Sequence, residues 1–227
     1  MLESFPKSTY THLMDTARLF IAFALPDEVQ QHLAGVQTQL AETAPHDVFR
    51  WINPHNTHIT LHFLGDTHRD RIPAVIDALQ SAAGSLHTPE AAPAGGEDRG
   101  IRCRLGGPGY FPHIDKPRVI WLGLNEVTTR RVPDLHARGR AWYQALEREL
   151  TSRHIDSDSP RYAPHITLGY RRRQTGRHET AAVTSAWQGF TSQGLIFTVS
   201  RIVLFESVIA GNGREHHALH SESITSG

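Results

Sequence analysis

The tetrapeptide His-Ile-Thr-Leu occurs twice, within "THITLHF" (57–63) and within "PHITLGY" (164–170), once in each half of the chain. The sequence around the two copies is otherwise unalike. In an extended strand, residues i and i+2 share a face. His58 and Thr60 therefore project together, with Ile59 and Leu61 on the opposite face. His165 and Thr167 do the same, opposite Ile166 and Leu168. Each copy thus displays a polar pair from a strand whose other face is buried. If the two halves are related by a pseudo-twofold axis, the pairs face each other across a cleft. Two imidazoles and two hydroxyls then surround one small group.

That set of groups suits proton transfer at a phosphodiester. An unperturbed imidazole titrates near pH 6.5, so one ring can be neutral while the other is charged. The neutral ring accepts a proton from an attacking water, and the charged ring protonates a leaving oxygen. Threonine hydroxyls donate to non-bridging phosphate oxygens, where charge builds up. Such a reaction calls for no metal and no covalent intermediate.

The remaining pattern predicts α+β architecture. "ARLFIAFAL" (17–25) reads as a buried strand ended by Pro26. Residues 26–42 read as a helix, with Pro26, Asp27 and Glu28 in its first turn and Val29, Leu33, Val36 and Leu40 at helical spacing. "VFRWI" and "THITLHFLG" are strands separated by the turn "NPHN". Residues 69–84 read as a second helix ended by Gly84. Residues 88–100 are loop-like, "IRCRLGGPGYFP" reads as a strand followed by a glycine-rich turn, and "PRVIWLGL" (117–124) is a strand. A long helix falls within 129–150, with Leu135, Trp142, Leu146 and Leu150 on its apolar side. "RYAPHITLGY" is a strand, a basic loop and short helix follow, and 194–207 supply one or two strands. The tail "REHHALHSES" reads either as an edge strand or as a frayed end.

The order passes twice through a similar plan, which points to two related lobes rather than a doubly wound sheet. "LFIAFALPDE" carries no phosphate loop, and "GGPGY" does not open a helix, so a dinucleotide-binding fingerprint is excluded.

Composition narrows the function classes. No stretch approaches the roughly 18 apolar residues of a membrane-spanning helix. The N-terminus lacks the pattern of a signal peptide. Cys103 is the only cysteine, so no intrachain disulfide can form, and a cytoplasmic location is expected. Formal charge is zero with histidines neutral, which argues against a general nucleic-acid coat. Lys7 and Lys116 are the only lysines. A GC-rich coding sequence explains that arginine bias, and so does planar recognition of phosphate.

The two motifs and their surroundings resemble the 2H phosphoesterase superfamily. Within it they resemble the bacterial and archaeal RNA 2′,3′-cyclic phosphodiesterases of the 2′-5′ RNA ligase family. The resemblance is carried by "RLFIAFALPDEV" (18–29), "FRWINPHNTHITLHFLGD" (49–66), "YFPHIDKPRVIWLGL" (110–124) and "PRYAPHITLGYRR" (160–172). It runs from about residue 17 to about residue 207. It implies two pseudo-twofold-related lobes, each an antiparallel sheet with helices packed outside, around a cleft carrying both His-x-Thr motifs. It also implies opening of a terminal RNA 2′,3′-cyclic phosphate to a 2′-phosphate. By analogy, His58 is the acid that protonates the 3′ oxygen, His165 is the base that activates water, and Thr60 and Thr167 hold phosphate oxygens. The reverse reaction, with an RNA 5′-hydroxyl replacing water, would give a 2′-5′ linkage.

The sequence departs from the family in two places. Where the family often carries arginine two residues after the second leucine, this chain has Tyr170, with Arg171 next. Alternation places these two on opposite faces, so either is a candidate for reaching substrate, and Arg171 is the one expected to bind it. The tail also lacks the family's apolar close. Residues 1–13 precede the apparent family start and read as an N-terminal extension to a single bilobal domain over 14–227, with Met14 as a candidate initiator.

Other residues bear two readings each. Phe111 either stacks on an exposed base or packs in the core. Trp51 reads as core. The run Arg171, Arg172, Arg173 is either a solvated loop or an RNA-backbone contact. His55, His58 and His62 lack the adjacent glutamate and helical context of a zinc protease, and "HHALH" (216–220) is an adventitious metal binder at most, so neither metal nor cofactor is expected. The expected partner is RNA with a cyclic phosphate end or a small cyclic or 2′-5′-linked nucleotide, bound by a monomer with no membrane or protein partner. The alternative class is a non-catalytic RNA-end or nucleotide-binding protein. Zero net charge confines recognition to the terminal nucleotide, so affinity should depend weakly on RNA length and on salt. Filter binding of short and long RNAs across a salt series checks this, and a steep logarithmic salt slope would contradict it.

Overall fold

The computed structural model describes residues 15–43, 48–86, 100–125, 127, 135–159, 161–173, 175–192, 194–211 and 213–224. The expected N-terminal extension and nearly all of the loop at 88–100 lie outside the described residues.

Nine strands and four helices are formed by the described residues. They are β1 (Thr16–Ala24), α1 (Asp27–Ala41), β2 (Phe49–Trp51), β3 (His58–His68), α2 (Ile72–Leu86), β4 (Ile101–Phe111), β5 (Val119–Asn125), α3 (Arg140–Ser152), β6 (His165–Arg171), α4 (Arg177–Gln188), β7 (Ile196–Val199), β8 (Arg201–Ala210) and β9 (Gly213–Ser223). The class is α+β, with every strand pairing antiparallel. Strand order is β7-β4-β5-β6-β3-β1-β8-β9, with β2 beside β6. The order divides into two four-stranded halves, β3-β1-β8-β9 and β6-β5-β4-β7, with a motif strand innermost in each. The halves join through the pairing of Ile59 with Ile166. In each half a strand, a helix, the motif strand and a second helix follow in sequence, which is the twofold plan.

One face of the sheet is closed by helices over a continuous apolar core that includes Ile59, Leu61, Ile166 and Leu168, none more than 2% exposed. The helices cross between halves. α2 packs with α3, which also meets β3, and α1 packs with α4. α1 buries Val29, Leu33, Val36 and Leu40, as its spacing requires, and also Gln37. The Gln37 amide donates to the Ile52 carbonyl (2.8 Å) and the Leu168 carbonyl (3.0 Å). A helix from the first half thereby holds the motif strand of the second. The reciprocal contact is His62 on β3, fully buried, with Nε2 at 3.0 Å from the Tyr143 carbonyl of α3.

Several elements differ from their sequence expectation. α2 starts after a 3-10 turn at Arg69–Arg71 and runs through Gly84 to Leu86. Gly84 faces open space, and the apolar face of Val75, Ala78, Leu79, Ala82 and Ala83 outweighs its weak helix propensity, about 1 kcal/mol. β4 continues through Gly106, Gly107, Pro108 and Gly109 instead of turning, absorbing the irregularity as a bulge between Leu105 and Pro108. The tail is an edge strand: β9 pairs with β8 from Arg201↔Ser223 to Ala210↔Gly213. No described helix is long and apolar enough to cross a membrane.

Gln37→Leu removes both hydrogen bonds, the one to Leu168 running between the halves, and leaves buried carbonyl capacity unmet. Urea denaturation should show a loss of about 1–3 kcal/mol. An unchanged midpoint would mean that the bonds add nothing net.

Candidate active site

Antiparallel pairing at Ile59 and Ile166 sets the register of everything beside it. It brings His58 level with Thr167 and Thr60 level with His165, so the motifs are twofold mates about one residue pair. Cross-strand partners share a face. Thr60 lies opposite Ala22 and His58 opposite Ala24, while Thr167 lies opposite Trp121 and His165 opposite Gly123. All four motif side chains are half-buried on the face away from the helices.

Both imidazoles are held in the same way. His58 Nδ1 lies 2.7 Å from the Asn56 carbonyl, and His165 Nδ1 lies 2.8 Å from the Ala163 carbonyl. A carbonyl only accepts, so each Nδ1 carries the proton and each Nε2 keeps its lone pair toward the cleft. The hydroxyls of Thr60 and Thr167 have no side-chain hydrogen bond to the described residues. Burial pushes His58 down to about 4, opposed by the Asn56 carbonyl and reinforced by His216 and His165. Burial also lowers His165, opposed by the Ala163 carbonyl. Both rings are therefore neutral in the free protein at neutral pH.

Each motif leucine is the extra residue of a β-bulge. β1 runs Ile21↔His62 then Ala22↔Thr60, skipping Leu61, and β5 runs Ile120↔Gly169 then Trp121↔Thr167, skipping Leu168. A bulge inverts the alternation that follows it. His62 therefore turns into the core instead of toward His58, with Nδ1 on Ser157 Oγ at 2.9 Å. His55 pairs with Gln30, so the three histidines of this segment diverge. No group of three metal-ligating side chains occurs among the described residues.

The second bulge settles the face of Tyr170 and Arg171. Ile120, fully buried, pairs with Gly169, and Val119 pairs with Tyr170, which puts Tyr170 on the side of His165 and Thr167. Arg171 pairs with the buried Phe49 and points the other way. It lines a cavity of about 810 Å³ with Lys116, Arg118 and residues of α4. The structure therefore does not bring Arg171 beside the histidines, and places it on the other face of the sheet. The physical cause is the extra residue at Leu168, which simple alternation does not count.

Phe63 and Tyr170 occupy equivalent positions after the two bulges, and each lies under an arginine. Arg18 stands 4.7 Å above Phe63, and Arg50 stands 5.6 Å above Tyr170. Arg18 is partnered by Asp66 at 3.4 Å, whereas Arg50 makes no ion pair among the described residues. Around His165 the walls are aromatic. Phe111 presents an edge at 5.2 Å, and Trp121 lies at 5.6 Å. Phe111 is 39% exposed, so it is not a core residue. Gly109 permits this wall, because a Cβ there would stand 2.3 Å from the Trp121 indole. Around His58 the neighbours are Phe20 at 4.6 Å and His216 at 5.2 Å. Trp51 packs against the core beside Phe49, as expected of it.

Sequence reasoning does not single out Arg50, Trp121 or His216 as parts of this site. Tyr170 is a candidate by position, but the other three depend on strand pairing that no local pattern reports.

Comparison with known proteins identifies relatives of this chain. Residues 25–208 match the family model described as the 2'-5' RNA ligase superfamily. An RNA 2',3'-cyclic phosphodiesterase of Thermus thermophilus is 34% identical over 157 residues, spanning 68% of this chain and 69% of that protein. The crystal structure of TT0787 of Thermus thermophilus superposes with a TM-score of 0.61 at 24% identity, covering 91% of this chain and 97% of that one. The structure of E. coli LigT complexed with 3'-AMP gives 0.59 at 22% identity, covering 92% and 98%. The likeness to both solved structures is one of fold. A model match over most of the chain, on a fold with paired His-x-Thr strands, places this protein in the 2'-5' RNA ligase superfamily.

Proposed function

We propose that this chain opens terminal 2′,3′-cyclic phosphates on RNA, leaving a 2′-phosphate and a free 3′-hydroxyl. The observation that carries the reading is the twofold placement, on one face of the seam, of two Nδ1-anchored imidazoles and two threonine hydroxyls without a side-chain hydrogen bond to the described residues. The name of the Thermus thermophilus relative agrees with it.

In this reading a water oxygen attacks phosphorus and gives its proton to His165 Nε2. The bond from phosphorus to the 3′ oxygen breaks, and that oxygen takes a proton from His58 Nε2. Thr60 and Thr167 donate to the two non-bridging oxygens as their charge grows. An RNA 5′-hydroxyl attacking in place of water forms a 2′-5′ linkage, and cleavage of that linkage exchanges the two ring roles. Phe111, exposed beside His165, offers the terminal base a stacking surface. Arg50, held over Tyr170 on the same face, offers a cation to the neighbouring backbone phosphate.

The acid role of His58 requires a proton that the free protein does not hold at neutral pH. A phosphodiester anion beside the ring favours its charged form and supplies the missing stabilisation. Substrate binding and protonation are then one linked event.

Turnover of a short RNA with a 2′,3′-cyclic end, assayed with EDTA present, tests the reading. His58→Ala and His165→Ala should each lower kcat/KM by about 10²–10⁴. Thr60→Val and Thr167→Val should each lower it by about 10²–10³. The parent should yield a 2′-phosphate. Binding without turnover in the parent, surviving loss of either histidine, would favour a non-catalytic binding protein instead. Proton linkage is a separate measurement. Calorimetry of 2′,3′-cyclic AMP binding to His165→Ala at pH 6.5, in buffers of different ionisation enthalpy, should show net proton uptake that a further His58→Gln change abolishes. No uptake would remove His58 from the acid role.

A further inference from the structure

The β8–β9 hairpin carries a third histidine into the cleft. His216 lies opposite Ser207, on the face shared by Phe205 and Phe20. Its neighbours Glu215 and His217 face the other way and pair with each other at 3.5 Å. The His216 and His58 rings meet edge-on, with centroids 5.2 Å apart and planes at 68°. Phe20 touches both, at 4.8 and 4.6 Å. Asn56 ties them together. Its carbonyl accepts from His58 Nδ1 and also lies against His216, and its side-chain amide donates to the Arg214 carbonyl at 2.7 Å. The edge strand is thereby clamped to the turn that launches the first motif.

We propose that His216 is a positioning residue for His58, forming with it a proton-coupled pair that sets when the first-motif histidine can carry charge. For its catalytic meaning this rests on the cyclic phosphodiesterase reading above. The charged groups acting on the pair are His165 from β6 and Arg214 from β9, both cationic when charged. Glu206 of β8 is engaged with Arg69 instead. Two imidazolium rings at this separation repel by about half a pKa unit in a water-like medium, and by about two units at an effective dielectric near 20. A charge on His216 therefore opposes one on His58, and the rings titrate as a pair. The ring neighbours of His165 are Phe111 and Trp121, which do not titrate in this range. The twofold is broken on the proton, and it is broken at the first motif.

The test is a ring-nitrogen NMR titration of the full chain beside the pH profile of kcat/KM, for the parent, His216→Gln and His216→Phe. Glutamine and phenylalanine differ in how much they bury His58, but both remove the neighbouring charge. The expected result is a broadened, two-step His58 titration in the parent. Both variants should show a single step, raised by about half a unit to two units. The optimum of kcat/KM should move in the same direction, with KM within about twofold of the parent, since removal of a uniform binding contact would instead raise KM alone. Opposite shifts in the two variants would mean burial alone governs His58, and would overturn the proposal. So would independent single-step titrations of His58 and His216 in the parent, a result that needs no variant to fold. A parent that shows coupled titration but no turnover on cyclic-ended RNA would refute the assigned reaction and leave the pair standing.

Discussion

Ile59 and Ile166 face each other across the seam between the two halves of the sheet, and the cleft depends on that register. Both side chains are fully buried on the helix side. Sliding the seam by one residue would exchange inward and outward faces along a motif strand, burying a histidine and a threonine and exposing two branched apolar side chains. The hydrophobic demand of the core therefore also fixes the chemistry on the other face. Gln37 and His62 reinforce the seam from behind, each by a hydrogen bond from the first half of the chain to the second.

The bulges at Leu61 and Leu168 do more than bend the strands. Each lets one strand serve two surfaces out of simple alternation: a polar pair to the cleft, two successive residues to the core, then an aromatic back to the cleft side. The second core residue is where the halves diverge. His62 becomes a buried anchor for α3, whereas Gly169 leaves room for Trp51, whose ring would stand 3.1 Å from a Cβ at that position.

Twofold symmetry makes the motifs alike, and the remaining residues make them different. The His58 side has Arg18 neutralised by Asp66 and a titratable neighbour in His216. The His165 side has Arg50 without an ion-pair partner among the described residues, and an aromatic wall of Phe111 and Trp121. The proposed substrate, with a base at one end and a phosphate at the centre, is itself asymmetric, and in that reading these differences would give it a direction. Repulsion between rings within one cleft is also why burial does not act alone on His58.

The sequence by itself determined the elements that local physics controls. The spacing of Val29, Leu33, Val36 and Leu40 specifies α1, and the alternation within His-Ile-Thr-Leu specifies which two residues of each motif face together. Repetition of that tetrapeptide in a twice-traversed plan is enough to nominate His58, Thr60, His165 and Thr167 as one candidate site. Tertiary structure decided whatever depends on which strands pair and in what register. It sent Arg171 behind the sheet and kept Tyr170 in front, because a single unpaired leucine inverts the count. It carried β4 straight through a run of glycines, because the neighbouring strand supplied the pairing that the local sequence argued against. It also brought His216 from the last strand to His58, through hydrogen bonds on Asn56. Alternation is a property of one strand, but register belongs to two, and no single stretch of this chain encodes it.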